Sequence, residues 1–270
     1  MRRTKEQLIQ DLNTALDFYK DNNVTVKSCS IKFNIDRHIL SNYFKSKGIK
    51  INPNGKQNIN SNIFNTIDTE EKAYWLGFLY ADGNVLDNNT ISLELSTVDK
   101  EHLIKFNYFL NKSLDIREDK NRVRCIFKDT TIKNSLVNLG CIPRKSLVLR
   151  FPKDKQVPKR LKRHFIRGYI DGDGSIYKSN NNIHISILGT EHFLENLVKY
   201  FKLKKRTLYK NNKNNNSNCY FIQFSGKLAT EVIKLFYTDC TIKLDRKYNK
   251  FIEYEKQKWN TTRNSWFFKY

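Results

Sequence analysis

Two short stretches of the chain share residue types that could bind a metal ion. Residues 75–83 read WLGFLYADG and residues 166–174 read IRGYIDGDG, so each is an apolar helical segment that ends in Asp-Gly. Asp82 and Asp173 therefore occupy the same place in the two segments. A single Asp-Gly after a helix is usually a turn that leads into a strand. Its repetition in two similar segments favours a functional interpretation of both carboxylates.

Small residues indicate how the two helices could meet. Gly77 and Ala81 are four positions apart, as are Gly168 and Gly172, so each helix has a face of small residues. Such faces allow two helix backbones to approach closely, and we expect a side-by-side, parallel pair. The two carboxylates would then meet at two helix C-termini, where unpaired carbonyl groups already concentrate negative charge.

A divalent cation would relieve the repulsion between these carboxylates, which would otherwise raise a pKa. Carboxylate, carbonyl and water oxygens are the ligands that Mg²⁺ prefers, and Mn²⁺ accepts similar ligands. A cation held in this way can activate water and stabilise an oxyanion leaving group in phosphodiester hydrolysis. The pattern therefore predicts a Mg²⁺ site, in which Mn²⁺ could substitute.

The first 58 residues have the pattern of a small helical module. Apolar periodicity predicts helices over 5–20, 25–33 and 37–49. A short helix, a tight turn and a second helix resemble a helix-turn-helix, in which the last helix would contact DNA. Simple packing of three helices is the alternative interpretation. The polar stretch 52–62, with Pro and Gly, predicts a linker. The exposed face of the last helix would carry Arg37, His38, Ser41, Asn42 and Lys45.

From Thr69 onward the chain repeats one order of elements: helix, hairpin, helix, hairpin, helix. We assign the two copies to residues 59–155 and 156–270. The low-complexity stretch 210–218 predicts a hairpin loop in the second copy. A further helix is predicted over 245–259, and residues 260–270 receive no assignment.

These features resemble the LAGLIDADG family of homing endonucleases. The resemblance covers about residues 69–250, with WLGFLYADG and IRGYIDGDG as the two motif copies. It implies an α+β fold of two pseudo-symmetric αββαββα repeats, whose sheets form a saddle in the DNA major groove. It also implies a monomeric, Mg²⁺-dependent endonuclease that hydrolyses both strands of a long asymmetric duplex site.

The resemblance also implies roles for individual residues. The earlier acidic position of the motif is Tyr80 in the first copy and Asp171 in the second, a departure at a position that is not a principal metal ligand. GCIPRKSLVLRFP and KLDRKYNKF resemble the segments that supply basic residues near the active site, with Lys247 favoured over Lys243. The implied metal ligands are Asp82, Asp173 and the backbone carbonyls of Ala81 and Gly172, and the implied catalytic lysines are Lys145 and Lys247.

Strand alternation selects the side chains that could read DNA. In each hairpin, apolar residues fall on one face and polar residues on the other, where base edges could be contacted. A solvated sheet face is the alternative. The candidate residues are Arg122, Arg124, His184, Ser186 and Gln223.

Composition is consistent with a polyanionic partner. The chain of 270 residues has 49 Lys and Arg against 27 Asp and Glu, a formal net charge of +22. Codon bias in an AT-rich genome would also enrich Lys, Asn and Ile. The five cysteines form no CxxC pair, so a zinc site or a disulfide framework is not expected. No signal peptide or membrane span is evident, and we expect an intracellular protein of the cytoplasm or an organellar matrix, without a membrane partner.

Two other functions share much of this pattern. An intron maturase would use a similar basic scaffold to bind structured RNA, and its carboxylates could be dispensable. A helix-turn-helix regulator would bind DNA without cutting it. The two aspartates favour cleavage over both, because a protein that only binds a polyanion gains nothing from two carboxylates that face it.

Overall fold

The computed structural model describes residues 3–21, 24–49, 51, 59–111, 116–203, 207–211 and 218–267, without the side chains of 259–267. The chain divides into two compact units. The smaller unit is Met1–Asn60 with Leu110–Leu114, and the larger is Ser61–Phe109 with Asp115–Tyr270.

The smaller unit contains the three helices that the periodicity predicts. They are α1 (Lys5–Asp21), α2 (Val26–Phe33) and α3 (Arg37–Ser46). Helix α2 ends at Asn34 in the left-handed conformation, and the Asp36 carboxylate caps α3 by accepting hydrogen bonds from the next turn. The helices enclose a small apolar core, formed by Leu12, Ala15, Leu16, Val26, Cys29, Ile35, Leu40 and Phe44.

The larger unit contains two copies of an αββαββα order, which confirms the predicted α+β fold. The first copy consists of α4 (Glu70–Ala81), β1 (Gly83–Val85), β2 (Thr90–Ser96), α5 (Lys100–Phe109), β3 (Ile116–Glu118), β4 (Arg122–Lys128) and α6 (Thr130–Asn138). The second consists of α7 (Lys162–Asp173), β5 (Gly174–Ser179), β6 (Asn182–Gly189), α8 (Glu191–Tyr200), β7 (Tyr209–Lys210), β8 (Tyr220–Ser225) and α9 (Gly226–Tyr237). A last helix, α10 (Asp245–Phe267), extends beyond the predicted end at residue 259.

Each copy forms one antiparallel sheet of four strands with the same topology. The strand orders are β1-β2-β4-β3 and β5-β6-β8-β7. In β4, Val123, Cys125 and Phe127 are buried and alternate with more exposed residues, and β6 shows the same alternation. Helix α5 packs against the first sheet, while α8 and α9 pack against the second. Each sheet therefore keeps one face toward the core and one face toward solvent.

Helices α4 and α7 form the centre of this unit. Every residue from 73 to 80 and from 164 to 171 is buried, as expected for helices covered on all sides. A Cβ added at Gly77 would lie 1.9 Å from the Phe165 carbonyl oxygen, and one at Gly168 would lie 2.0 Å from that of Tyr74. The backbones therefore touch through the predicted small residues, in a parallel and pseudo-symmetric arrangement.

Three further expectations concern other parts of the chain. All five cysteines are free, and Cys29, Cys125 and Cys141 are buried. Among the described residues, no helix is both long and apolar enough to cross a membrane. Most of the predicted linker (52–62) and of the predicted loop (210–218) lies outside the described residues.

Candidate active site

In both repeats, the Asp-Gly pair forms a tight connection from helix to strand. Asp82 is the C-cap of α4, and Asp173 is the last residue of α7. The glycine that follows opens a strand and lies against its own helix. A Cβ would lie 2.6 Å from the Leu79 carbonyl oxygen at Gly83, and 2.4 Å from that of Ile170 at Gly174. Glycine is needed at both places, and each aspartate is thereby fixed at its helix end.

The two helix ends also bring the carboxylates together. A Cβ at Gly172 would lie 2.3 Å from the Ala81 Cβ and 3.3 Å from the Asp82 Oδ2. Asp82 and Asp173 reach solvent, but protein atoms surround them sufficiently to desolvate both carboxylates partly. Desolvation and then the charge of Asp173 raise the pKa of Asp82 to about 6. Desolvation also raises the pKa of Asp173.

Two lysines complete what we call the carboxylate recess, formed by Asp82, Asp173, Lys145 and Lys247. Lys145 lies in a short 3-10 helix and donates a hydrogen bond to the Gly83 carbonyl. Lys247 lies in α10 and donates to the Ile170, Asp171 and Gly172 carbonyls, at 2.9, 2.6 and 2.9 Å. Lys247 also donates to the Gly174 carbonyl, the counterpart of Gly83 in the second repeat.

Burial distinguishes these lysines from the many surface lysines. Lys145 is 8% exposed and Lys247 is 5% exposed. Desolvation lowers the pKa of Lys247 to about 8, while the charges of Asp171 and Asp82 act in the opposite direction. Lys243 is half-buried, and its Nζ lies 4.6 Å from the centroid of the Tyr248 ring.

The electrostatics of the recess cross between the repeats. Of the two lysines, Lys247 lowers the pKa of Asp82 more, and Lys145 lowers that of Asp173 more. Of the two lysines, the one that acts more strongly on each aspartate therefore belongs to the other repeat. The four charged groups form one site, built jointly by both repeats.

The donor set fits a cation that keeps water or substrate oxygens as ligands. Within the described part of the chain, no group of three or more His, Cys, Asp or Glu side chains could hold a metal ion. The predicted set contains two carboxylates, whose mutual repulsion a divalent cation would relieve. The Gly172 carbonyl already accepts a hydrogen bond from Lys247, which leaves it one lone pair for another partner.

A cleft of about 350 Å³ leads from the recess along the first sheet. Asp82 and Gly172 line it, together with Glu94 and Arg122 of the first sheet. Arg246 also lines the cleft, and it binds the Asp99 carboxylate through two nitrogens, at 2.9 and 2.8 Å. A larger cavity of about 800 Å³ is lined by residues that include Phe151 and Tyr200 and by neither carboxylate of the recess.

The predicted DNA-reading side chains lie on the solvent faces of the two sheets. On the first sheet, Arg122 donates to the Glu94 carboxylate, and Arg124 lies 3.9 Å from the same carboxylate. The remaining three lie on the second sheet. Gln223 donates to the Tyr177 hydroxyl at 2.9 Å, and the Tyr177 ring stacks on His184 with centroids 5.1 Å apart. Ser186 lies opposite Gln223 in the strand register.

The remaining predicted DNA-binding residues belong to the smaller unit. Arg37, His38, Asn42 and Lys45 are exposed on α3, and Ser41 is half-buried. Three residues separate α2 from α3, a length typical of a helix-turn-helix.

Two acidic residues without a predicted role make contacts that stand out in the structure. Asp171 is fully buried and accepts hydrogen bonds from Tyr74, Tyr237 and the Leu244 backbone. Its partners lie far away in sequence and gave no signal. Glu94 was detectable, because alternation in TISLELS places it on the polar face of β2.

A family match with known proteins covers the second repeat. The sequence model of the LAGLIDADG-like domain matches residues 160–233, which contain the second motif helix and its sheet. The first repeat has the same element order and sheet topology. The chain therefore contains a LAGLIDADG-like domain over residues 160–233.

One curated relative is the "Probable intron-encoded endonuclease aI3" of Kluyveromyces lactis. It is 34% identical over 97 residues, which are 34% of this chain and 21% of the relative. The chain thus spans about a fifth of the length of that relative.

Several solved structures are similar at low identity. I-SmaMI bound to an uncleaved DNA target in the presence of calcium ions has a TM-score of 0.48 and 11% identity, over 74% of this chain and 93% of its own. I-AabMI bound to uncleaved DNA has a TM-score of 0.47 and 13% identity, over 70% and 91%. I-GzeII in complex with its DNA target has a TM-score of 0.48 and 12% identity, over 74% and 92%.

Proposed function

We propose that this protein is a site-specific DNA endonuclease of the homing type, which hydrolyses both strands of a long, asymmetric duplex site. The carboxylate recess is the observation that carries the proposal, because it joins two acids and two buried lysines at the ends of paired helices. The match of residues 160–233 to the LAGLIDADG-like domain and the relative named as a probable endonuclease support it.

The residues of the recess have complementary roles in this proposal. A Mg²⁺ or Mn²⁺ ion held by Asp82 and Asp173 would supply an activated water and stabilise the leaving oxyanion. The ammonium groups of Lys145 and Lys247 would offset the charge that develops on the phosphate. Because the strands of a duplex and the two repeats both follow an approximate twofold axis, each lysine would serve a different strand.

The solvent faces of the two sheets would form the DNA-binding surface. Arg122 and Arg124 on the first sheet, and His184, Ser186 and Gln223 on the second, would contact bases. The net charge of +22 would attract the phosphate backbone. We infer a monomer in which both repeats contact one duplex.

Cleavage of a randomised duplex library in Mg²⁺, with sequencing of the cut ends, tests this function. Asp82→Asn and Asp173→Asn should each slow cutting by about 10⁴-fold while leaving DNA binding in Ca²⁺ intact. Asp87→Asn makes the same chemical change at an exposed hairpin position and should cut at the wild-type rate. A single long, asymmetric site cut by the wild type is the expected result.

Other outcomes would identify the alternatives. Tight binding to a DNA site without cutting would identify a regulator. Selective binding to an intron RNA without cutting would identify a maturase, and equal cutting by all four proteins would contradict the role of the carboxylates.

The smaller unit would add DNA contacts through α3. Replacing Arg37 and Lys45 together with Gln should weaken DNA binding. The slope of log K against log salt concentration should become shallower by about 2, since two phosphate contacts are lost. Lys5 and Lys20 are exposed on α1, and their double replacement with Gln is the matched control. An equal effect of both pairs would remove any specific role of α3.

A further inference from the structure

Tyr80 and Asp171 occupy the same position in the two motif helices, two residues before the recess aspartates. They are chemically unlike, yet each is buried and makes a hydrogen bond to a distant backbone group. Tyr80 Oη donates to the Leu139 carbonyl at 2.5 Å. Asp171 Oδ2 accepts from the Leu244 amide at 2.8 Å.

The backbone groups that they reach lie in the segments that carry the buried lysines. Leu139 lies shortly before Lys145, and Leu244 lies shortly before Lys247. Neither lysine segment is part of the motif helix that holds it. The same motif position therefore fixes the lysine-bearing segment in both repeats.

Local packing in the first repeat is built around the Tyr80 contact. Gly140 follows Leu139 and has a φ of 101°, and a Cβ there would lie 2.1 Å from the Tyr80 Oη. The next residue, Cys141, is buried, and its Sγ donates to the Leu79 carbonyl at 3.5 Å. The chain between α6 and Lys145 is thus held against the end of α4 by two consecutive motif residues.

The contact in the second repeat is more extensive. The Asp171 carboxylate also accepts from the Tyr74 hydroxyl at 2.8 Å and from the Tyr237 hydroxyl at 2.5 Å. Its backbone carbonyl accepts from Lys247 Nζ at 2.6 Å. One residue therefore binds both the segment before Lys247 and the lysine itself.

We propose that Tyr80 and Asp171 are positioning residues, each of which sets the place of the buried lysine of its own repeat. The first repeat must hold a carbonyl, which requires a donor, and the second must hold an amide, which requires an acceptor. This requirement explains why the two motif copies differ at this position. The consequence for cleavage rests on the proposed function, whereas the consequence for the lysines does not.

Two readouts on the full chain test the proposal. Lysine acylation by trace acetic anhydride at one fixed pH, quantified by mass spectrometry without DNA or metal, reports the environments of Lys145 and Lys247. Single-turnover cleavage of a supercoiled plasmid containing the target measures how much product is nicked, with one strand cut, and how much is linear, with both strands cut. The variants are Tyr80→Phe, which removes one oxygen, and Asp171→Asn, which removes one acceptor oxygen. Ser61→Ala is the control, because the Ser61 hydroxyl also donates to a distant group, the Asp129 carboxylate at 2.6 Å, and neither residue adjoins a lysine-bearing segment.

The expected effects are specific to one repeat. Tyr80→Phe should raise the acylation of Lys145 about 5-fold and leave that of Lys247 unchanged. Asp171→Asn should raise the acylation of Lys247 and leave that of Lys145 unchanged. In each case the segment that carries the lysine opens locally. Each variant should slow the cutting of one strand by about 10-fold, the strand differing between the two, so that nicked product accumulates. The dissociation constant for DNA should change less than about 2-fold, since no DNA-facing group is altered.

Several results would overturn the proposal. Acylation of both lysines in the variants at the level of the Ser61→Ala control would show that the two residues only stabilise the fold. Equal changes at both lysines would contradict repeat-specific positioning. If Asp171→Asn fails to fold, Tyr80→Phe alone decides, because it leaves the polar groups of the second repeat intact. A wild-type protein that never cuts would refute the proposed function, while selective acylation would still support positioning.

Discussion

The two repeats share a backbone but differ in most of the side chains around it. Gly77 and Gly168 make equivalent close contacts with the facing helix, and Gly83 and Gly174 make equivalent exits into a strand. Both sheets have the same strand order. The two repeats have the same residues where the backbones touch and where the carboxylates are positioned. Elsewhere each repeat has its own solution to the same packing requirement.

Leu76 and Arg167 illustrate this difference, since each directly precedes the contact glycine of its helix. Both are fully buried. Leu76 needs only apolar neighbours, whereas Arg167 donates to the Glu70 carboxylate at 2.7 Å and to the Ile242 and Phe236 carbonyls at 2.9 and 3.0 Å. The second repeat is followed by the segment that leads into α10. Arg167 holds that segment, and this explains a charged residue at a core position.

Replacing Arg167 should therefore have a much larger effect than a change at Leu76. Arg167→Leu should lower the free energy of unfolding by about 3–5 kcal/mol, because the half-buried Glu70 carboxylate and two buried carbonyls lose their donor. Leu76→Met keeps the volume and polarity of the equivalent position and should cost less than about 1.5 kcal/mol. Urea unfolding of both variants measures the difference.

An effect below about 1 kcal/mol for Arg167→Leu would contradict this comparison. The double variant Glu70→Gln, Arg167→Leu provides a second check. It should recover part of the loss, since the uncompensated carboxylate is then removed.

The predictable part of the site is local or repeated in the sequence. The helix pair, the place of the two aspartates and the strand faces follow from spacing within single segments, and the second motif copy supports each of them. The role of Arg167 was not predicted, because its partners Glu70, Phe236 and Ile242 are distant in sequence. The contacts of Asp171 with Tyr237 and Leu244 escaped prediction for the same reason. Tertiary hydrogen bonds between distant segments leave no periodic signal in the sequence.

The solvent faces of the two sheets differ even more than the helices. Counted from the strand pairs Gly83–Leu93 and Gly174–Ile187, Glu94 and Leu188 occupy equivalent places. Their cross-strand neighbours are Arg124 and Phe221, respectively. The first sheet thus carries a charged pair where the second carries an apolar pair. Under the proposed function, two such different faces would suit the two unlike halves of an asymmetric duplex site.

Charge changes on these faces should affect DNA binding in opposite directions. Glu94→Gln removes an acid that pairs with Arg122 and lies near Arg124, and it frees Arg122 for phosphate or base contacts. It should tighten binding to non-specific duplex by about 2- to 5-fold. The slope of log K against log salt concentration should become steeper by about 1. Gln223→Glu adds an acid to the second sheet and should weaken binding by a similar factor. Fluorescence anisotropy with a labelled duplex over a range of salt concentrations measures both.

Stability should remain nearly unchanged in both variants, because exposed ion pairs contribute little to folding. If only Glu94→Gln changes the affinity, the first sheet alone contacts the duplex, and the second sheet must then serve another purpose. If neither variant changes it, the solvent faces do not meet DNA. Opposite changes of affinity, similar in size, would place both sheets on the same duplex. Only in that case would the difference between Glu94 and Leu188 mean that the two halves of the site are contacted differently.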